Sequence, residues 1–273
     1  MTSTSSRNTV FLKEMGVGPL WIRRDTAPAM QGEVPQVDAQ ANAMQVNNAP
    51  SSAWSELSTD TPFVSSDMPR EVRTSTSSEI AQMDWSQLKA AVAACTKCGL
   101  CQNRKKTVFG VGDEKAKWLF VGEGPGRNED LQGEPFVGPA GKLLDNMLVA
   151  MGLRRGENTY IANIVKCRPT DADGRDRPPK PEEVAACMPY LDRQIALIQP
   201  AVIVALGKTA ALSLLKLDPA TPVSKLRGSV HRYADLPLVV TYHPAYLLRT
   251  PADKRKTWAD LCLAMHTYDG NSP

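Results

Sequence analysis

The stretch Lys117-Trp-Leu-Phe-Val-Gly-Glu-Gly-Pro-Gly126 is an apolar run that ends in a glycine-rich turn. A short apolar run bounded by such a turn is typical of a buried strand. Similar runs predict strands at residues 160–165, 201–206 and 237–242. Helical spacing and good helix formers predict helices at residues 85–94, 138–151 and 181–198, after Gly207, and at 252–268. This alternation predicts a three-layer α/β/α domain with a central four-stranded, mostly parallel sheet.

Glycine-rich and polar segments follow the four predicted strands. In parallel α/β sheets the ligand site lies at the carboxyl ends of the strands. The segments at that edge are 122–126, 163–169, 207–209 and 243–248. We therefore expect the functional side chains in these segments.

The chain before the predicted domain has a different composition. Residues 26–82 are rich in Ala, Pro, Ser, Thr, Gln and Asn without a sustained period, which predicts a disordered linker. Residues 1–25 contain an apolar island, Val10-Phe-Leu-Lys-Glu-Met-Gly-Val-Gly-Pro-Leu-Trp-Ile-Arg-Arg24. The island is interpreted either as a partner-docking peptide or as a segment that folds back on its own domain. The globular domain is expected to occupy residues 83–273.

Charge and hydropathy argue against a membrane or secreted protein and are compatible with a polyanionic partner. The 273 residues carry a net charge of +3, but residues 1–82 hold six basic and nine acidic residues, whereas residues 83–273 hold 26 and 20. A basic domain is compatible with a polyanionic partner. No apolar run approaches the ~18 residues of a membrane-spanning helix, and the N-terminus lacks the apolar stretch of a secretory signal. We expect a cytoplasmic protein with no membrane partner.

Four of the six cysteines form a pattern suited to a metal centre. Cytosolic cysteines are usually kept reduced, which favours metal binding or catalysis over disulfides. Cys95 and Cys98 form a Cys-x-x-Cys pair, and Cys167 and Cys187 flank a polar loop far along the chain. Four thiolates are enough for a tetrahedral zinc site or a cubane iron–sulfur cluster, and spacing does not separate the two. A redox pair with two core cysteines is the alternative, and the other two cysteines are expected to be structural.

The glycine-rich turn does not match the common nucleotide motifs. Pro125 interrupts a dinucleotide fingerprint, and the charged segment 127–130 follows where a helix should begin. No Gly-Lys-Ser/Thr follows, so the turn is not a phosphate loop either.

Three side chains at the predicted edge are suited to base recognition. Asn163 offers an acceptor and donors, so it can pair with an amide edge such as O4 and N3–H of a pyrimidine. His243 directly follows the last predicted strand, and Pro244 helps to orient it. Phe136 lies in a loop rich in Pro and Gly. The alternative for each is a structural role: a satisfied polar residue, a satisfied imidazole and a local aromatic anchor.

Taken together, these motifs resemble the family 4 uracil-DNA glycosylases, the iron–sulfur branch of their superfamily. The resemblance covers about residues 84–268 and is specific in the combination and order of its motifs. The matching segments are Gly122–Gly126, Glu129-Asp130, Pro135–Gly138, Asn163–Pro169, Leu226–Gly228 and His243–Leu248.

The resemblance implies a uracil-DNA glycosylase-like fold and a monofunctional DNA glycosylase. Such an enzyme hydrolyses the N-glycosidic bond of deoxyuridine in DNA, releases uracil and starts base excision repair. His243 would then donate to uracil O2, Asn163 would select uracil over cytosine, and Phe136 would stack on the base. Glu129 would lie near C5 and exclude the methyl group of thymine.

Further roles follow from the same resemblance. Gly122 and Gly124 would line the pocket, and Glu123 is the candidate for positioning the attacking water. The residues themselves suggest one more role: Leu247 and Leu248 would place exposed apolar side chains beside Arg249. Leu247 is the candidate for an apolar wedge beside a base-flipping pocket, although the start of an ordinary helix gives the same pattern.

The resemblance also implies a cofactor. A structural [4Fe–4S] cluster would fall on Cys95, Cys98, Cys167 and Cys187, beside the face that binds DNA. The loop between the last two cysteines contains the charged segment 171–177 and is longer than expected for the family.

The island has a resemblance of its own. Leu12-x-x-Met15-Gly16-Val17-x-x-x-Trp21-Ile22-Arg23-Arg24 is similar to the N-terminal peptide of the psi subunit of bacterial DNA polymerase III, which docks on the clamp loader. This implies a replisome partner bound through residues 10–24. We expect a monomer that associates with the nucleoid in the cytoplasm.

Two other functions stay open at this point. One is a relative that binds uracil or DNA without turnover, against which the presence of both Asn163 and His243 argues. The other is a zinc-stabilised α/β protein that acts on another nucleotide. A visible absorption band distinguishes an iron–sulfur protein from a colourless zinc protein.

Overall fold

The computed structural model describes residues 76–270. Its single sheet has strands β1 (Val111–Gly112), β2 (Trp118–Gly122), β3 (Thr159–Asn163), β4 (Val202–Leu206), β5 (Val230–Tyr233) and β6 (Leu236–Thr241). They lie in the order β1-β3-β2-β4-β6-β5. The four central strands run parallel, and β1 and β5 pair antiparallel at the two edges.

The helices are α1 (Ser77–Gln82), α2 (Trp85–Ala93), α3 (Arg127–Gln132), α4 (Pro139–Ala150), α5 (Pro181–Ile198), α6 (Lys208–Leu215), α7 (Pro244–Arg249) and α8 (Lys254–Gly270). Three short 3₁₀ turns occupy Gly99–Cys101, Val223–Lys225 and Pro251–Asp253. None of the helices in this part of the chain is long and apolar enough to cross a lipid bilayer.

Two apolar cores, one on each face of the sheet, confirm the predicted three layers. Leu119 and Val121 of β2 belong to the core that includes Leu191 of α5. Trp118 and Phe120, whose side chains point the other way, belong to the core that includes Leu144 of α4. Because both faces are covered, the central strands are mostly apolar and do not alternate with polar residues; their polar residues, Thr159, Asn163 and Thr241, are at strand ends.

Within residues 76–270 the sheet has six strands, which corrects the expected count of four. The four central strands match the four predicted ones, whereas both edge strands were missed. Strand β1 is only two residues long, and the residues of β5 alternate between exposed and half-buried. Neither edge strand therefore contains an apolar run that marks it in the sequence.

Two helix predictions also need correction. Residues 76–82 were assigned to the linker 26–82, but they carry α1, which begins with a capping box between Thr76 and Glu79 and buries Ile80. The domain therefore begins before residue 83. A helix does begin at Arg127, so that argument against a dinucleotide fingerprint was wrong, although Pro125 still interrupts the motif. The apolar island and residues 26–75 of the linker lie outside the described residues.

Candidate functional site

A cleft of about 220 Å³ opens at the carboxyl ends of β2 and β3. It lies where the topology of the sheet predicts a ligand site. Six of the predicted site residues line it: Glu123, Gly124, Glu129, Phe136, Asn163 and His243. Gly122 lies directly behind two of them, because a Cβ atom there would fall 2.4 Å from Oδ1 of Asn163 and 2.6 Å from Cζ of Phe136. Only glycine leaves room for both side chains.

Asn163 ends β3 with a polar atom that nothing in the described structure satisfies. The residue is 2% exposed, and its Oδ1 atom has no hydrogen-bond partner among the described residues. A buried acceptor without a partner costs about 1–3 kcal/mol. A ligand with an N–H group in the cleft would remove that cost.

His243 is held in one tautomer. The backbone N–H of Ala245 donates to Nδ1 of His243 at 3.1 Å, so the proton of the neutral ring is on Nε2. Burial lowers the pKa of His243 to about 4; the positive charge of Arg249 acts in the same direction, and Glu129 opposes it. The imidazole is therefore a neutral Nε2–H donor at neutral pH.

Phe136 and Glu129 form a fixed wall of the cleft. The Phe136 ring stacks against the His243 ring, with a centroid distance of 5.6 Å and an interplanar angle of 29°. The backbone of Phe136 has φ 55°, a conformation that is unfavourable for a bulky residue. Oε1 of Glu129 stabilises this loop by accepting from the N–H groups of Val137 at 2.9 Å and Gly138 at 3.0 Å.

Glu123 lies beside the end of β4 as well as in the cleft. Its carboxylate accepts a hydrogen bond from the hydroxyl of Thr209, the second residue of α6. Burial raises the pKa of Glu123, and this hydrogen bond opposes the shift. Glu123 also lines an adjoining polar cleft of about 470 Å³ that shares His243 with the first.

The expectation that Leu247 is an exposed wedge is wrong. Leu247 is 0% exposed and packs in the core, so it cannot insert between bases. Leu248 is 45% exposed. Both lie in α7, where successive residues point about 100° apart, so one leucine faces the core and the next faces solvent.

Two charged residues of the cleft were not among the predicted site residues. Asp176 and Arg177 come from the long loop between Cys167 and Cys187. Arg177 is held by a double hydrogen bond to Glu183 of α5, at 2.8 and 2.5 Å. The unusual length and charge of this loop marked it in the sequence, but its path over the cleft depends on the tertiary structure.

Five thiols line one small cavity next to the cleft. They belong to Cys95, Cys98, Cys101, Cys167 and Cys187, so the four predicted ligands and one cysteine expected to be structural lie together. Within residues 76–270, no group of three or more Cys, His, Asp or Glu side chains forms an arrangement suited to a metal ion.

The environment of these thiols is defined by burial and by one arginine. Arg104 donates to the backbone oxygen of Cys95 at 2.6 Å and to Sγ of Cys167 at 3.3 Å. Burial raises the pKa of Cys167 to about 11, against the effect of Arg104. Burial also raises the pKa of Cys187 to about 12.

Comparison with known proteins gives consistent matches. A model of the uracil DNA glycosylase superfamily matches residues 109–262, more than half of the chain. A type-4 uracil-DNA glycosylase of Archaeoglobus fulgidus is 46% identical over 166 residues, which are 59% of this chain and 81% of the relative. The type-4 protein of Thermotoga maritima is 45% identical over 60% of this chain and 82% of its own length. That of Pyrobaculum aerophilum is 40% identical over 66% of this chain and 93% of its own length.

Proposed function

The chain belongs to the uracil DNA glycosylase superfamily and to its type-4 branch, and we infer that the cleft receives a uracil base flipped out of DNA. The enzyme is a uracil-DNA glycosylase, which hydrolyses the N-glycosidic bond of deoxyuridine in DNA. One observation supports this placement of the base: Oδ1 of Asn163 is buried at the cleft and has no hydrogen-bond partner among the described residues.

We propose that Asn163 reads the base edge. Its Oδ1 accepts from N3–H of uracil, and its amide group donates to O4. Cytosine presents an acceptor at N3 and a donor in place of O4, so both contacts fail for cytosine. Phe136 stacks on the ring, and Glu129 occupies the space that the methyl group of thymine needs.

In this proposal, catalysis is stabilisation of charge. As the glycosidic bond lengthens, the sugar becomes cation-like and uracil leaves as an anion. The neutral Nε2–H of His243 donates to O2, where negative charge develops. Since Nδ1 is already hydrogen-bonded to Ala245, the donor needs no reorganisation during the reaction.

Glu123 is our candidate for positioning the attacking water. Its carboxylate lies in the cleft and is fixed by the hydroxyl of Thr209. A carboxylate at this position can accept a proton from water and also favours the cation-like sugar.

The test of this function is cleavage of labelled oligonucleotides that contain one deoxyuridine, one deoxycytidine or one thymidine, followed by alkali. We expect strand breakage at deoxyuridine alone, because an abasic site breaks in alkali. Binding to the deoxyuridine strand without breakage would contradict turnover and leave a uracil-binding protein.

We propose that Cys95, Cys98, Cys167 and Cys187 hold a [4Fe–4S] cluster. The donor chemistry fits, because soft thiolates suit iron–sulfur clusters and these four side chains line one cavity. When bound, the cluster joins the loops around residues 95–98 and 167 to helix α5. Zinc is the alternative that the same thiolates allow.

A matched pair of substitutions tests this ligand set. Cys98→Ala is expected to lose most of its iron and its visible absorbance, because three thiolates hold a cluster less well than four. Cys101→Ala is the control, since Cys101 lines the same cavity but is outside the proposed set. Iron and zinc analysis of the purified proteins checks both. Equal iron in the two variants, or zinc in place of iron, would contradict the assignment.

We propose that Leu248 is the wedge in DNA. Unstacking a base pair step costs a few kcal/mol, and an inserted side chain offsets part of that cost. Leu248→Ala is therefore expected to lower kcat/KM on double-stranded substrate about tenfold, with little change on single strands. Leu217→Ala is the control, because Leu217 is also exposed, at 39%. An equal loss on both substrates would contradict the wedge role.

The association of residues 10–24 with a clamp loader, the monomeric state and nucleoid association also stay proposals. They rest on the resemblance of the apolar island and on the DNA substrate. A pull-down with a peptide of residues 7–25 tests the first, and recovery of no clamp-loader component would contradict it.

A further inference from the structure

Lys166 lies between the base-reading residue and the cysteines, and its charge is buried. It belongs to the segment that continues from β3, where Asn163 is three residues before it and Cys167 is next in the chain. The whole residue is only 1% exposed. Lysine is rarely buried to this extent without a partner of opposite charge.

The hydrogen bonds of Lys166 reach both neighbouring sites. Its Nζ donates to the backbone oxygen of Asn163 at 2.9 Å and to Oε1 of Gln194 at 2.6 Å. Its backbone N–H donates to Sγ of Cys187 at 3.3 Å. Gln194 and Cys187 are both on α5. One residue thus connects the end of β3 to the helix that carries a proposed cluster ligand.

The charge of Lys166 has no full compensation from these contacts. Both acceptors of Nζ are neutral, and a buried ammonium without a counter-charge is costly. Thiolates bound to iron carry negative charge, and Cys187 lies against the backbone of Lys166. An iron-loaded cavity, which Lys166 itself lines, would therefore supply negative charge close to this residue.

We propose that Lys166 is a positioning residue that couples occupancy of the cysteine cavity to the orientation of Asn163. The inference rests on the proposed function, namely a cluster on the cysteines and uracil at Asn163. The ammonium already bridges α5 and the Asn163 carbonyl. A loaded cavity would stabilise it there, and so fix the backbone that presents the Asn163 amide. If Lys166 does not form this link, the cysteine cavity and the cleft at Asn163 are joined only by the chain between them. Occupancy of one site then does not change the orientation of groups in the other.

Coupling of this kind works in both directions. If a loaded cavity favours the orientation that binds uracil, then bound uracil must favour a loaded cavity by the same factor. We also expect uracil in the cleft to slow the loss of the cluster, because the opened cavity from which iron leaves does not gain the uracil contact. A merely structural lysine would give no such link between the two ligands.

The experiment measures cluster loss from the iron-loaded, full-length protein. A strong iron chelator is added, and the decay of visible absorbance is followed. DNA containing a 2′-fluorinated deoxyuridine, which resists hydrolysis, fills the cleft in one arm; the same DNA with thymidine controls for general DNA binding. We expect the deoxyuridine analogue to slow the decay at least about fivefold relative to thymidine DNA.

Two variants show whether the coupling passes through Lys166. Lys166→Met keeps the length of the side chain and removes its charge, and it should reduce the protection to less than about twofold. Lys117→Met is the matched control, because Lys117 is exposed and precedes β2 at the opposite edge of the sheet from the cleft. Gln194→Leu, which removes one acceptor of Nζ, is the second variant if Lys166→Met does not fold, and it should also weaken the protection.

The outcomes separate this inference from the proposed function. Equal decay in the two DNA arms of the wild type overturns the coupling, whatever the variants do. Full protection in Lys166→Met overturns the role of Lys166. Absence of iron in the purified wild type overturns the cluster assignment and the coupling with it, whereas failure to cleave deoxyuridine concerns the enzymatic function alone.

Discussion

Replacing His243 by alanine is expected to lower kcat for deoxyuridine in DNA by about 100- to 1,000-fold, the usual effect of removing one donor from a developing oxyanion. The reason is that Nε2–H of His243 is the donor aimed at uracil O2 in the proposed complex. KM should change much less, because this hydrogen bond strengthens mainly in the transition state. Single-turnover cleavage of a deoxyuridine oligonucleotide measures the effect.

The control for this substitution is His266→Ala, since His266 is exposed on α8. That variant should retain wild-type kcat. A loss of less than about tenfold in His243→Ala would contradict the assigned role and leave His243 as a structural cap of α7.

The protonation state of His243 gives a second check on the same residue. Its pKa is lowered from 6.5 to about 4, so the ring stays neutral as the pH falls through the range in which an exposed histidine becomes charged. Below about pH 4, protonation of Nδ1 breaks the hydrogen bond from Ala245. Histidine ring NMR shifts followed from pH 8 to 4 measure this, with the His243 signal identified by its absence in His243→Ala. A midpoint near 6.5 would contradict the neutral donor.

The second large effect is expected at Asn163. Asn163→Ala should lower kcat/KM for deoxyuridine about 100-fold or more, because both base-edge contacts are lost and the polar groups of uracil are left unpaired. Its melting temperature should fall little, since Oδ1 has no partner among residues 76–270 that the substitution would break. A variant that loses stability and activity together would indicate a structural role.

Asn163→Asp is the isosteric comparison. It keeps the size of the side chain and an acceptor but replaces the amide donor, so the contact with O4 is lost. We expect a loss on deoxyuridine comparable with that of Asn163→Ala, together with a smaller preference for deoxyuridine over deoxycytidine. Cleavage assays with both substrates measure the ratio, and an unchanged preference would contradict base reading by Asn163.

The sequence predicted those features that depend on long apolar runs and on the ends of parallel strands. The four central strands are mostly apolar. Asn163 ends β3 and His243 lies two residues beyond β6, so their meeting at one edge follows from topology. The stacking of Phe136 against His243 could not be predicted, because it depends on a left-handed backbone at Phe136 held by Glu129.

The features that sequence reasoning missed depend on tertiary contacts. Leu247 and Leu248 are chemically identical, and only the orientation of α7 decides which of them is buried. Cys101 joins the cavity because the 3₁₀ turn Gly99–Cys101 curls the chain back toward the other thiols. The role of Lys166 depends on α5 packing against the segment after β3, which no local pattern indicates.

The rigid wall around Glu129 bears on how such an enzyme searches a genome. Thymine differs from uracil by one methyl group and vastly outnumbers it in DNA. In the proposed complex the Glu129 carboxylate faces this group. It is anchored to the N–H groups of Val137 and Gly138, so it cannot move aside without breaking two hydrogen bonds. Thymine then does not bind in the cleft and does not compete with uracil for it. Time spent per normal base stays short, and the rare lesion is reached sooner.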